Sequence, residues 1–308
     1  MAVYATRGGC AMVAAAEPAP VSDGGTAPKL WDLRARNPFE RSVIRGQDFS
    51  DDTIFEDAGR FSVQGGANPA PNIRTPGPDM GNFSNSAYTL PQGGAYVEFS
   101  PVTLSGPMSG GSANYSSPFL LRYGVTDDTE FRVFGSGIQS NYGGDEDITG
   151  FTPLAIDLKV HLWDENKEGL LPATALEVWI QSDLLSTSSE FDEGLQPAIS
   201  LNFDKSLPAG WSLEVNVGIA GQEKPDGREI IDETVQWTVS RNLSPNENVY
   251  WNGYVNTSAG PGNGGGAMIG GGAFWYLSDR VATFGSYNGG LNDEAPTTLA
   301  QLGLSIAY

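Results

Sequence analysis

Apolar residues recur at every second position through most of the C-terminal two thirds of the chain. The clearest case is Thr152–Ser182. Leu154, Ile156, Leu158, Val160 and Leu162 share one parity, while Ala155, Asp157, Lys159, His161 and Trp163 share the other. A period of two marks a β-strand with one apolar face. The charged segment DENKEG follows, and Leu176, Val178 and Ile180 then alternate with Glu177, Trp179 and Gln181. This pattern predicts a β-hairpin with one apolar face and one face carrying Asp, Lys, His and Glu. In a soluble sandwich the apolar face would point inward. In a membrane barrel it would meet lipid, and the charged face would line a lumen.

The neighbouring segments decide between these readings. Twelve strand candidates follow Gly94: Ala95–Leu104, Ser117–Tyr123, Thr129–Gln139, Thr152–Trp163, Ala173–Ser182, Leu195–Phe203, Trp211–Ala220, Thr234–Arg241, Asn248–Thr257, Ala267–Tyr276, Val281–Tyr287 and Thr297–Tyr308. Their connections alternate. Short polar turns (GVTDD, DENKEG, DKSLPAG, SPNE, LSDR) follow the even-numbered candidates, and mostly longer Gly- or acid-rich segments follow the odd ones. Short turns at one end and long loops at the other, over an even strand count, are the signature of an outer-membrane barrel. A Greek-key sandwich has no reason to sort its loops in this way. The sequence therefore predicts an all-β fold: a transmembrane, antiparallel, up-and-down β-barrel of about 12 strands. Tyr123, Trp163, Trp211, Tyr276 and Tyr287 sit at strand ends, where interfacial girdles belong. The last strand ends on Tyr308 with apolar residues at alternate positions before it, a form that suits recognition by the barrel assembly machinery.

The rest of the chain fits this prediction. Residues 1–20 read as a possible signal or leader, with Arg7 and a weak apolar patch at Ala11–Ala16. Residues 21–90 are rich in Pro, Gly, Asn, Asp and Ser without periodicity, and predict a flexible N-terminal arm whose course, inside a lumen or outside it, stays open. The barrel is assigned to 91–308. The 40 Gly and 20 Pro favour short strands and turns, and Cys10 is the single cysteine, which excludes an intrachain disulfide. Of the net charge of −20, residues 91–308 carry −18, from 27 acidic and 9 basic side chains. That sign excludes nucleic acid as a natural partner. The expected partners are outer-membrane lipid, lipopolysaccharide and small solutes.

LLRYGVTDDTEFRV, residues 120–133, resembles the RxGxTDxxExR hairpin of the outer-membrane family named for the MetA pathway of phenol degradation. Arg122, Gly124, Thr126, Asp127, Glu130 and Arg132 match position for position. Asp157, Lys159, Pro172 and Ala173 fit the family's next hairpin, and Phe83–Phe99 looks like its approach to the first strand, with Glu98 inward. A GxGD lead-in expected before the fourth strand is replaced by FTPLAID. The resemblance covers about 83–308. It implies a barrel that passes small molecules, aromatic or hydrophobic compounds among them.

With the apolar parity assigned to lipid, the inward parity carries Glu98, Arg122, Glu130, Arg132, Asp157, Lys159, His161, Glu177, Asp204 and Glu214. Twelve strands at ~4.8 Å spacing and ~40° tilt enclose a backbone diameter of roughly 24 Å, which side chains largely fill. Arg122, Arg132 and Lys159, facing Glu130, Asp157 and Glu177, are expected to form a polar constriction that selects solutes, or a salt-bridge ladder that stiffens the wall. His161, the single histidine, points inward with Asp157 and Lys159. This argues against a lipid-facing Ser–His site, so no catalytic residue is assigned and no cofactor or metal is expected. The acidic groups Asp145, Glu146 and Asp147; Asp192 and Glu193; Asp232 and Glu233; and Asp293 and Glu294 are placed in the long loops. They are expected to act as solubilising charge, with divalent-cation bridging to lipopolysaccharide as the alternative. A passive channel is the reading these features favour. A structural or adhesive barrel with a closed lumen, or a lipid-modifying barrel enzyme, stands as the alternative.

Overall fold

The computed structural model describes residues 70–106, 113–143, 147–183, 186, 191, 194–223, 229–257 and 264–308. The expected leader (1–20), residues 21–69 of the expected arm, Cys10, and the loop acids Asp145, Glu146, Asp192 and Glu193 lie outside them. The strands are β1 (Ala95–Ser105), β2 (Ala113–Ser116), β3 (Phe119–Thr126), β4 (Thr129–Gly135) and β5 (Ile138–Tyr142). There follow β6 (Ile148–Phe151), β7 (Leu154–Trp163), β8 (Ala173–Ser182), β9 (Gln196–Leu207) and β10 (Trp211–Glu223). The last are β11 (Glu229–Ser244), β12 (Glu247–Asn256), β13 (Ala267–Tyr276), β14 (Val281–Gly290) and β15 (Thr298–Ala307).

All fifteen strands belong to one antiparallel sheet, which closes on itself where β15 pairs with β1. The ring has 12 staves. Three of them are broken in two at one level. Ser117–Pro118 separates β2 from β3, Ser136–Gly137 separates β4 from β5, and Thr152–Pro153 separates β6 from β7. In the same region β1 shifts register between Phe99 and Val102, across Ser100–Pro101. The physical cause is local. Proline has no N–H to give to a ladder, and Gly137 adopts φ +64°, with a Cβ there falling 2.2 Å from the Ser117 carbonyl oxygen. These breaks explain the main differences from the sequence expectation. The second and fourth candidates begin at the Pro dipeptides and so miss β2 and β6, and the third runs through the break at Gly137. The β10–β11 hairpin also reaches further than expected, so Asp232 and Glu233 lie within β11 and not in a loop.

The side-chain alternation sorts as a membrane barrel requires. Phe131, Ile156, Leu158, Val178, Ile180, Ile199, Leu201, Val217, Ile219, Leu302 and Leu304 are on the outer surface. Ionic and polar residues of the opposite parity are buried inside. Tyr123, Trp163 and Trp275 stand outward near the short-turn end, and the Trp211 and Trp251 ring centroids lie 5.6 Å apart there. Tyr276 corrects the expected girdle. Its parity is inward, where the Arg74 guanidinium lies 5.0 Å from its ring centroid, and Trp275 takes the outward place. A closed antiparallel ring pairs its strands' backbone groups with one another rather than with water, and the apolar outer band suits lipid. Leu158→Arg, near the middle of that band, is expected to destabilise the barrel by about 2–4 kcal/mol in urea unfolding from lipid vesicles.

Candidate functional site

Before β1, residues 70–94 run through the lumen. At the short-turn end the Ile73 amide donates to the Asp279 carbonyl (2.7 Å), and Arg74 pairs with Asp279 (2.7 Å) and donates to Asn246 (2.9 Å). The segment turns mid-barrel around Met80–Ser84 and returns to the same end, where Thr89 donates to the Asp127 carbonyl (2.7 Å) and the Gln92 amide to the Asp127 carboxylate (3.0 Å). Among the described residues this re-entrant segment, 70–94, contributes no strand to the sheet. It is a plug held by side chains and caps, with backbone bonds to the wall at Asp279 and Gly124.

The RxGxTDxxExR hairpin is where the plug docks. Arg122 Nη1 donates to the Gly77 carbonyl (2.8 Å). Gly124 faces Pro91, and a Cβ there would fall 2.1 Å from its carbonyl oxygen. Glu130 accepts from the Leu90 amide (2.8 Å), and Arg132 reaches Asp79 (3.4 Å). Thr126 Oγ1 accepts from the Asp128 amide (3.3 Å) and shapes the turn. Four of the six motif positions thus bear directly on the plug, and Asp127 makes a fifth.

The registers build the ionic wall. Arg122 lies opposite Arg132, Arg132 opposite Asp157, and Glu130, Lys159 and Glu177 form the adjacent row. Two guanidinium groups opposite each other would repel, and carboxylates relieve the pair. Arg122 grips Glu130 through Nε (2.7 Å) and Nη2 (3.1 Å), and pairs with Glu98 (3.2 Å). Arg132 pairs with Glu177 (3.1 Å), and its Nε lies 2.9 Å from Asp157 Oδ2, an ion-pair contact whose angle falls outside hydrogen-bond geometry. Into this wall the plug inserts Asp79. Its Oδ2 meets Arg122 (3.3 Å), Arg132 (3.4 Å) and Lys159 (3.2 Å). Burial acts to raise the Asp79 pKa, but Arg122, Lys159 and Arg132 outweigh it and hold the carboxyl well below the usual range.

Glu98 receives the Asp79 and Met80 amides (3.1 and 3.0 Å). Glu177 receives Asn85 (2.9 Å) and Asn202 (2.6 Å). Glu98, Arg122, Glu130, Arg132, Asp157, Lys159 and Glu177 are therefore one buried cluster with the plug. Glu214 stands apart on β10, opposite Asp204. Ser84 donates to Glu214 (2.8 Å), and Ser86 to Asp204 (2.7 Å). His161 lies nearer the short-turn mouth, its Nδ1 2.8 Å from the Ala87 carbonyl oxygen and its ring stacked on Tyr88 at 5.3 Å. The sequence reading missed Asp79, Ser84, Asn85, Asn202 and Asn216. Asn202 and Asn216 carried a usable signal, polar groups on the inward parity of otherwise apolar strands. Asp79 carried none, because a lone acid in a Pro/Gly segment reads as linker.

Removing one member of such a cluster leaves the others buried and unpaired. Arg132→Ala is expected to cost about 3–5 kcal/mol in urea unfolding from vesicles. The pH dependence of plug docking follows from the lowered Asp79 pKa. Its contribution is fully present above the ordinary carboxylate range and is lost only as pH falls through the depressed value. The electron paramagnetic resonance spectrum of a spin label at Asn82→Cys, with Cys10→Ser, is expected to be unchanged between pH 7 and pH 4. Asp79→Asn is expected to make the label more mobile at both.

The closed barrel is similar to an outer membrane channel from Pseudomonas putida F1, with a TM-score of 0.58, 11% identity, and coverage of 73% of this chain and 99% of that one. It also aligns with the NanC porin (TM-score 0.44, 8% identity, 69% of this chain and 98% of that one). A third alignment is with an anion-selective porin from Comamonas acidovorans (TM-score 0.38, 10% identity, 70% and 98%). No curated protein matches the sequence. The profile of the family described as "Putative MetA-pathway of phenol degradation" matches residues 79–308, and so takes in Asp79 and the plug's turn as well as every stave. The chain is an outer-membrane β-barrel and belongs to that family.

Proposed function

We propose that the protein is an outer-membrane channel for passive entry of small solutes, aromatic or hydrophobic compounds among them, with the 70–94 segment as its gate. The observation that carries this reading is the nature of the obstruction. At mid-height the segment is attached through side-chain ion pairs, amide caps and small apolar contacts, and its backbone bonds to the wall lie at the short-turn end, from Ile73 to Asp279 and between Gly93–Gly94 and Gly124. Such contacts can be exchanged without opening the barrel. On this reading Arg122, Glu130, Arg132, Asp157, Lys159, Glu177 and Glu98 form the constriction, and Asp79 completes it. Glu214 and His161 line the path on either side. The family's name supports an aromatic substrate class.

The same reading makes the barrel non-enzymatic. The inward setting of His161, against Ala87 and Tyr88, supports this. The outer band would contact lipid, the long-loop acids would approach lipopolysaccharide, and β15, with Tyr308 just after it, would be handed to β1 by the assembly machinery. One observation favours the closed, structural alternative: Glu98, Glu130, Lys159 and Glu177 have no solvent exposure.

Planar bilayers separate the two. Wild-type protein is expected to give rare, small conductance steps, and Asp79→Ala or Gly124→Val to raise their frequency at least several-fold by loosening the plug. Absence of steps from all three proteins would establish the closed barrel instead.

A further inference from the structure

The three cations of the wall do not depend on the plug equally. Arg122 has Glu130 (2.7 Å) and Glu98 (3.2 Å) among the wall carboxylates, and Arg132 has Asp157 (2.9 Å) and Glu177 (3.1 Å). Lys159 is different. Its register neighbours, Glu130 and Glu177, are turned to the two arginines. Among the described residues the Asp79 carboxylate, 3.2 Å away, is the single hydrogen-bond and ion-pair partner of its ammonium. An ammonium carries three N–H donors, and this one is wholly buried.

Asp79 belongs to the plug, so the wall by itself presents a cationic point with no carboxylate of its own for Lys159. Arg122 Nη2 at 3.3 Å, Arg132 Nη1 at 3.4 Å and Lys159 Nζ at 3.2 Å all approach one oxygen, Asp79 Oδ2. The other oxygen, Oδ1, stays with the plug and accepts from the Ser86 amide (3.3 Å). The three cations overcome the cost of burying this carboxylate and keep it ionised. Charge-assisted contacts of this kind suit a carboxylate and are lost to a neutral group of the same shape.

The point can be approached from the long-loop side. Above the turn of the plug lies a recess floored by Met80 to Phe83, with Leu120, Phe134, Asn252 and Asn288 around it. Its one charged lining residue, among the described residues, is Arg132. Asp204 and Glu214, which would repel an anion, bond to Ser86 and Ser84 of the plug and do not border the recess. We infer that Arg122, Arg132 and Lys159 form a carboxylate-binding site, which Asp79 fills when the plug is seated and a small aliphatic monocarboxylate fills in its place. Asp79 is a built-in competitor for that site. A solute carboxylate takes over its contacts to Lys159 and the two guanidinium groups and shifts the plug toward release, because it binds the released state and not the seated one. The inference rests on the channel reading for what that release achieves; the site itself does not depend on it.

The test is equilibrium dialysis of labelled acetate against the full-length protein in lipid nanodiscs at pH 7 and constant ionic strength, with acetamide as the neutral isostere and empty nanodiscs as the control. Asp79→Ala is expected to bind acetate at least about tenfold more tightly than wild type, because the competing carboxylate is gone. Excess acetamide is expected to leave that acetate bound, and Lys159→Met added to Asp79→Ala is expected to abolish the gain. A second readout keeps the buried charges intact. With the spin label at Asn82→Cys and Cys10→Ser, excess acetate is expected to make the label more mobile and acetamide to leave it unchanged. Acetate binding to Asp79→Ala that is no tighter than to wild type, that acetamide displaces or that survives Lys159→Met would overturn the inference. So would a label that acetate leaves as ordered as acetamide does. The channel reading fails separately: acetate binding without conductance keeps the site and rejects transport, and conductance without acetate binding does the reverse.

Discussion

The arrangement of the lumen depends on one carboxylate. Asp79 stands where three cations of the wall converge, and Arg122 and Arg132 are also paired with wall carboxylates. In a medium of low effective dielectric a lone member of this set would be very costly to bury. The cluster therefore behaves as a unit, complete only when the plug is seated. Asp79 belongs to neither of the strands that bear Arg122 and Arg132, so the contact ties a segment that precedes the barrel to the middle of its wall.

The family motif takes on a physical meaning in this light. Arg122, Gly124, Asp127, Glu130 and Arg132 form a template for a chain passing through the lumen. Between them they contribute a donor to a carbonyl (Arg122), room for a backbone (Gly124), acceptors for two amides (Asp127 and Glu130) and a charge for Asp79 (Arg132). The opposite wall is built differently. From β9 to β14 the inward row is Asp204, Glu214, Thr238, Asn252, Gly270 and Asn288, polar but without cations. One side of the lumen holds the plug by ion pairs, and the other offers neutral hydrogen-bonding groups and carboxylates.

The level at which β2/β3, β4/β5 and β6/β7 break is also the level at which the plug turns, and Ser116, Pro118 and Ser136 line the recess above it. Proline and glycine interrupt the ladder there, and the interruptions let Phe119 and Leu120 border the open space. The wall is thus least regular where the lumen is least filled.

The period-two alternation determined most of the fold without help. Each strand's inward and outward faces follow from parity, and a one-residue slip would have placed Asp157 and Lys159 in lipid. Loop sorting then determined the barrel, and the inward charges of β3, β4, β7 and β8 were legible for the same reason. Tyr276 was misread because position at a strand end was weighed above parity. Tertiary structure alone decided how those charges are used. Asp79 is separated by many residues from its partners in sequence, in a segment with no periodicity, so nothing local records where it goes. The lack of a wall carboxylate at the Lys159 ammonium, among the described residues, was likewise invisible, because a missing partner is a property of packing and not of sequence.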